Sequence, residues 1–314
     1  MEKIPVLVIA GPTASGKTAL AVELAKKYNG EVVSADSMQI YKRMDIGTAK
    51  PDKAEMAGVV HHMIDIAEPE DSFSVADYVD MAHKVIADIV SRKKLPIVAG
   101  GTGLYINSLI DDADFSKAPS NDAIKDELYE LFEKEGAEPL LEMLKEVDPV
   151  SYERIHPNNI KRVIRAIEFY RTNNRPLSEQ SDENQKKDSR YNPLMLMINP
   201  KREVLYERIE KRVDIMLERG LIDEVKRLSA EGLTKKNQSM QGIGYKEVLE
   251  YLNGFMTMSE MIRILKRNSR RYAKRQFTWF KRDPRMINIE NDLLFEAAGE
   301  IDKWLKNIPN ENNM

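Results

Sequence analysis

The sequence predicts an α/β fold: a parallel sheet core with helices on both faces, interrupted by an inserted all-helical domain. Three observations lead there. Short apolar runs alternate with helical patterns over the first hundred residues, a glycine-rich turn joins the first run to the first helix, and the chain turns polar and helical before an apolar run returns. The expected domains are a core built from 1–115 and 191–314, with an insertion at 116–190.

The elements follow in order. Residues 5–10 form an apolar run of strand length, and a helix is expected over 18–28. A second strand is expected at 31–36 and a third at 61–66. His61 and His62 are adjacent, so on a strand they point to opposite faces; both are read as structural rather than as ligands to one metal. A helix over 75–92 leads to a strand at 95–100. Texture changes at 111–120, where Pro, Asn and Asp begin to punctuate helical patterns, and 178–190 reads as a charged loop. The run at 193–198 is a returning strand, helices dominate 201–279, and 285–289 is the expected last strand.

Composition narrows the class. Of 314 residues 42% are hydrophobic and 32% charged, enough for a core in a helix-rich chain, and the net charge of −3 leaves nucleic-acid binding to be judged from local patches. The absence of cysteine excludes disulfides, thiolate-bound zinc and cysteine nucleophiles. No run reaches membrane-span length and the N-terminal apolar run is too short for a signal peptide, so a cytoplasmic protein without membrane contact is expected.

Gly11-Pro12-Thr13-Ala14-Ser15-Gly16-Lys17-Thr18 fits the pattern G-x-x-x-x-G-K-[ST], with a strand before it and a helix after it. The glycines let the backbone curl so that N–H groups converge, and the helix N-terminus adds its partial positive charge. Lys17 supplies a cation for phosphate oxygens and Thr18 a hydroxyl for Mg²⁺. The core is therefore expected to be P-loop NTPase-like. The loop alone names no reaction: nucleotide binding, ATP included, stays open beside kinases, ATPases and transferases with a diphosphate leaving group.

Asp36 closes the second strand, at the end that faces the ligand crevice in a parallel sheet, as a general base, as an indirect holder of Mg²⁺, or as an ordinary helix N-cap or turn aspartate. Gln39, three residues on, carries an amide of the kind that pairs with an adenine edge. Gly100-Gly101-Thr102-Gly103 follows another strand, either as a ligand-approaching loop or as a flexible turn. From Arg263 to Arg282 there are nine Lys or Arg and no acid. Arg263, Arg267, Arg270, Lys274 and Lys281 form a cationic side, and Ile262, Leu265, Tyr272 and Trp279 the expected packed stripe. Lys161, Arg162, Arg165, Arg171 and Arg175 make a second basic cluster inside the insertion. Two such surfaces suit a large nucleic acid better than a metabolite.

The motifs GPTASGKT, SADSMQIY, DIGTAKP, HHMIDI, FSVADY, GGTGLY, HPNNIKRVIRAIE, QGIGYKE and RYAKRQFTWFKRDP together resemble the bacterial tRNA dimethylallyltransferase family, also called tRNA isopentenyltransferases, over most of residues 5–285. The resemblance implies transfer of a dimethylallyl group from dimethylallyl diphosphate to N6 of the adenosine 3′ of the anticodon, in tRNAs reading codons that begin with U. By that resemblance Gly11–Thr18 would hold the diphosphate, with Arg212 as a further diphosphate-binding residue. Asp36 would be the general base, Lys17, Thr18 and Thr102 would join it in catalysis, and Mg²⁺ would sit at Thr18. Asp36, Ser37, Met38, Gln39 and Thr102 would touch the target nucleotide. Lys161, Arg162, Val163, Ile164 and Arg165 would bind tRNA from the insertion, and Gln241, Gly242, Gly244, Tyr245 and Lys246 from the core. Eukaryotic relatives carry a zinc-finger extension, whereas this cysteine-free chain is similar to the short bacterial form, expected as a monomer. A small-molecule kinase, a prenyltransferase acting on free adenylate and an RNA-binding ATPase are the rival readings. The basic insertion argues against the first two, and the third predicts tRNA binding without modification.

Overall fold

Five successive residues of the first strand, Val6 to Ala10, have no exposed surface. Side chains alternate between faces along a strand, so a run buried without interruption requires cover on both sides of the sheet. The computed structural model describes residues 3–113, 121–179, 188–290 and 292–308. Its strands are β1 (Ile4–Ala10), β2 (Gly30–Ala35), β3 (His61–His62), β4 (Leu95–Gly100), β5 (Tyr191–Ile198) and β6 (Met286–Ile289). All pairings are parallel, in the order β3-β2-β4-β1-β5-β6. This places β1 in the middle, with Val8 opposite Val98 on one side and Met195 on the other.

The described chain divides into two compact units, Met1–Ile110 with Arg190–Met314, and Asp111–Ser189. In the first, α1 (Lys17–Lys27) packs Leu20, Ala21, Leu24 and Ala25 on Leu7, Ile9, Ile97 and Leu196, and α13 (Leu293–Lys306) adds Ala297 and Ile301 to the same layer. Lys53–Met56 (α2) is a single turn capped by Asp52 and Glu55. The other face is met by α3 (Val75–Ser91), which starts with a reciprocal Ser74–Asp77 cap, and α4 (Gly103–Ile110). The second unit is a cluster of α5 (Asp122–Glu135), α6 (Glu138–Val147), α7 (Pro149–Arg154) and α8 (Ile160–Asn173). Its core is Leu128, Leu140, Leu144, Val163, Ile164 and Ile167. Buried Asp148 caps α7 and accepts from the backbone and hydroxyl of both Ser151 and Ser178. After β5 come α9 (Arg202–Glu218), α10 (Leu221–Ala230), a 3₁₀ turn (Ser239–Gln241), α11 (Tyr245–Leu252) and α12 (Met258–Phe280).

Two expectations change. The third strand stops after His62 instead of running to 66, because Met63 and Asp65 adopt left-handed backbone (φ 62° and 55°), which no strand continues through. On α12 the buried row is Met261, Leu265, Ala273, Gln276 and Phe280; of the expected stripe only Leu265 is fully buried, while Ile262, Tyr272 and Trp279 are half-buried. Much of the expected domain boundary near 115 and of the charged loop at 178–190 lies outside the described residues. His62 binds Glu31 and His61 bonds the Val59 carbonyl, so neither faces the other.

Candidate active site

Every chemistry-bearing turn of the sheet lies at the carboxyl ends of its strands, where α/β sheets hold ligands. The P-loop follows β1, Asp36 follows β2, and Gly101–Gly103 follow β4. In the P-loop, Gly16 has φ 95°, a left-handed conformation that lets the backbone N–H groups turn inward ahead of α1. Lys17 Nζ donates to Pro12 O at 2.6 Å, and Thr13 N donates to Gln276 Oε1 at 2.9 Å. The Thr13 amide is thus taken, which narrows the expected ring of donors. Ser15 Oγ is buried with no hydrogen-bond partner among the described residues.

Two chambers meet at Lys17, Thr18, Arg212 and Met216. The first, of about 370 Å³, is lined on one side by Thr13, Asp36, Ser37, Met38, Gln39, Tyr272, Arg275 and Gln276, and by an apolar wall of Ile209, Val213, Met216 and Leu265. The second, of about 440 Å³, opens beside Ala14–Ala19 among Lys50, Arg208, Lys211 and Arg219. Burial, and then the positive charge of Arg212, pull the Lys17 ammonium down to about 7, against the attraction of Asp36. Burial likewise lowers Arg212, which Asp36 and Glu55 counter, and its guanidinium reaches Thr13 Oγ1 at 3.3 Å and Ala49 O at 3.4 Å. Two half-buried cations in one cavity repel each other, and the Asp36 carboxylate offsets part of that repulsion.

Asp36 Oδ1 accepts from Met38 N at 2.9 Å and Gln39 N at 3.4 Å, so the carboxylate caps the turn that follows it while lining the first chamber. Thr102 ties that turn to the next: its N–H donates to Ala35 O, and its hydroxyl accepts from Ser37 N at 3.0 Å. The Gln39 amide, expected to read a base, already accepts from Ser34 Oγ and donates to Ala49 O. It thereby braces the loop at 45–49 while still lining the first chamber. Four donors hold that loop on buried Glu224: the amides of Asp45, Ile46 and Gly47, and the Tyr245 hydroxyl at 2.6 Å.

One cavity thus combines the cations Lys17 and Arg212, the carboxylate of Asp36 and apolar side chains, in a chain that has relatives among known proteins. The family model described as IPP transferase matches residues 39–283. The chain belongs to the IPP transferase family. A tRNA dimethylallyltransferase of Acetivibrio thermocellus is 52% identical over 301 residues, 96% of each chain. The tRNA isopentenylpyrophosphate transferase of Bacillus halodurans is 42% identical with a TM-score of 0.71, over 97% of this chain and 99% of that one. A eukaryotic dimethylallyltransferase, described as acting on tRNA, is 31% identical with a TM-score of 0.84, over 98% of this chain and 80% of that one.

Within this IPP transferase family member, other expected site residues fall in different places. Gln241, Gly242 and Lys246 line the first chamber, and Gly244 turns the chain with φ 103°. Tyr245 is fully buried, its ring against Gly47 and its hydroxyl on Glu224, so its side chain is a packing element and not an RNA contact. Val163 and Ile164 are likewise inside the helical core, because their spacing on α8 puts them on its packed face. Lys161 and Arg162 are exposed on α8, while Arg165 pairs with buried Glu168. Gln276, Arg275, Tyr272 as a cavity residue, and the apolar wall from α9 and Leu265 of α12 are not among the site residues expected from sequence. The signal for Gln276 was its spacing: at 273, 276 and 280 it shares a face with Ala273 and Phe280.

Among the described residues no group of three or more His, Cys, Asp or Glu is placed to hold a metal. No described helix is long and apolar enough to cross a membrane.

Proposed function

We propose that this chain transfers the dimethylallyl group of dimethylallyl diphosphate to N6 of the adenosine 3′ of the anticodon in tRNAs reading codons that begin with U, giving N6-dimethylallyladenosine and diphosphate. The observation that carries this reading is one cavity combining Lys17 and Arg212, the carboxylate of Asp36 and an apolar wall from Ile209, Val213, Met216 and Leu265. A kinase needs the first two, whereas a prenyl group also needs the third. The family and its named relatives, among them one described as acting on tRNA, support the same class.

In this mechanism the P-loop amides left after Thr13, with Lys17 and Arg212, stabilise negative charge building on the departing diphosphate. Asp36, fixed by Met38 N, takes a proton from the amine as the C–N bond forms, a role worth ~10²–10⁴-fold. Thr102 and Ser37 hold the turn on which Asp36 sits. The target base has to leave its stack to enter such a cavity. Mg²⁺ fits a donor set of Thr18 and few carboxylates only if most of its ligands are diphosphate oxygens and water, which is its usual habit. When bound, it would neutralise leaving-group charge. Thr18 would hold it, and the protein is read as a cytoplasmic monomer.

Purified protein, labelled dimethylallyl diphosphate and bulk tRNA should yield N6-dimethylallyladenosine by mass spectrometry of the digested RNA. Asp36→Ala should lower turnover by ~10²-fold or more with little change in tRNA affinity. Phosphate transfer from ATP without prenylation would favour a kinase, and efficient prenylation of free AMP would displace tRNA as the acceptor.

A further inference from the structure

Gln276, on α12, is 5% exposed and sits where two glycine-bearing turns come together. Its Oε1 accepts from Thr13 N at 2.9 Å and its Nε2 donates to Gly101 O at 2.9 Å. These partners follow β1 and β4 and lie 263 and 175 positions from it along the chain. A Cβ built on Gly101 would stand 2.3 Å from Gln276 Nε2, so the turn runs directly against the amide. A primary amide carries an acceptor and donors in one plane; a carboxylate has no donor and a hydrocarbon neither. Burying such a group is unfavourable unless its bonds are made, and here they are made to backbone from two separate loops.

We propose that Gln276 is a positioning residue that fixes the spacing between the phosphate-binding turn and the Thr102 turn, and with it the distance from leaving diphosphate to attacking amine. The inference rests on the reaction assigned above. Gln276 acts through the two backbone groups that it holds, Thr13 N and Gly101 O. The spacing is carried on by Thr102, whose N–H bonds Ala35 O and whose hydroxyl accepts from Ser37 N beside Asp36. On the other side Thr13 Oγ1 contacts the Arg212 guanidinium at 3.3 Å, so displacing Thr13 displaces a cation of the cradle.

Gln276→Glu and Gln276→Met separate this role from simple packing. A protonated glutamic acid has one C=O acceptor and one O–H donor and reproduces both bonds; the ionised form opposes a carboxylate to Gly101 O. Lys17, Asp36, Arg212, Tyr272 and Arg275 face the same cavity, and Tyr272 also hydrogen-bonds with Gln276, so the uncharged Gln276→Met supplies the pH profile of these groups against which the charge of Gln276→Glu is read. The measurements are the calorimetric Kd for inorganic diphosphate, and kcat and KM for dimethylallyl diphosphate with an anticodon stem-loop RNA, from about pH 5.5 to 8.5. Gln276→Glu should bind diphosphate roughly tenfold more weakly at the alkaline end, and the deficit should shrink towards the acid end. Gln276→Met should lose kcat by a factor that does not vary with pH. A Gln276→Glu deficit independent of pH, or variants equal to wild type in Kd and kcat, would overturn the proposal. Should Gln276→Met fail to fold, the pH profile of Gln276→Glu still decides. If wild type binds diphosphate but prenylates no RNA, the reaction assignment falls while the diphosphate ratio still judges Gln276; if wild type binds no diphosphate, the inference falls.

Discussion

Lys17 donates to the Pro12 carbonyl, yet burial and Arg212 hold its ammonium near 7, far below a free lysine. Below that pH the group is charged before any anion arrives. Above it the amine is neutral, and a bound polyphosphate must bring a proton in with it. Affinity for inorganic diphosphate should therefore fall by up to about tenfold per pH unit above neutrality, relative to Lys17→Arg, whose guanidinium stays charged. Titration calorimetry on both proteins checks this, and a constant ratio across that window would refute it. Glu224 makes a second residue-scale case. It is buried and takes four donors, so Glu224→Ala strands three backbone amides and should cost about 2–5 kcal/mol. Tyr245→Phe removes one bond and should cost about 1 kcal/mol. Urea denaturation midpoints in the reverse order would contradict the clamp. The strand–turn–helix context of residues 11–18 was legible because its motif is local. Glu224, Gln276 and the buried state of Tyr245 were not, because each is defined by a partner brought from a distant part of the chain.

Helix α12 was legible in outline as a basic amphipathic segment, and its buried row lies about one position away from the expected stripe. Tyr272 and Trp279 leave the expected packed stripe because each has a polar end to place: Tyr272 lines the cavity and Trp279 Nε1 donates to Asn107. The cationic side is also partly used up, since Lys266 pairs with Asp214 and Arg270 with Glu210, both on α9. Arg263, Arg271, Lys274, Arg275, Lys281 and Arg282 remain exposed. How closely α12 seats on the turn after β4 is measured by Gly103, where an added Cβ would lie 2.2 Å from the Trp279 ring. Gly103→Ala should destabilise by about 1–3 kcal/mol through overpacking. Gly299, inside α13 with no atom within 4 Å of an added Cβ, should gain about 0.5–1 kcal/mol on mutation to Ala. Thermal melts of the two variants should shift in opposite directions; a shift of the same sign would discredit the packing described for one of them.

For the whole molecule, alternation of strands and helices sufficed to anticipate a parallel α/β core, while strand order did not follow from it, because periodicity carries no information about which strands are neighbours. The basic insertion was legible by composition, but which of its cations face outward depends on helix phase. Under the proposed function, Lys161→Ala with Arg162→Ala should weaken tRNA binding and reduce its salt dependence by about one unit of slope for each phosphate no longer neutralised. Arg165 is a poor choice for that test, since removing it strands the buried Glu168 carboxylate. Filter binding across a salt series would show it, and an unchanged slope would place those side chains away from phosphate. The central place of β1 has a further consequence for biosynthesis. One flank pairs with β4, but the other waits for β5, about ninety residues further along, and closing so long a loop is slow. A nascent chain emerging from the ribosome thus carries an apolar strand with one naked edge through the synthesis of the entire helical unit, and that interval is when it most needs shielding from its neighbours on the polysome.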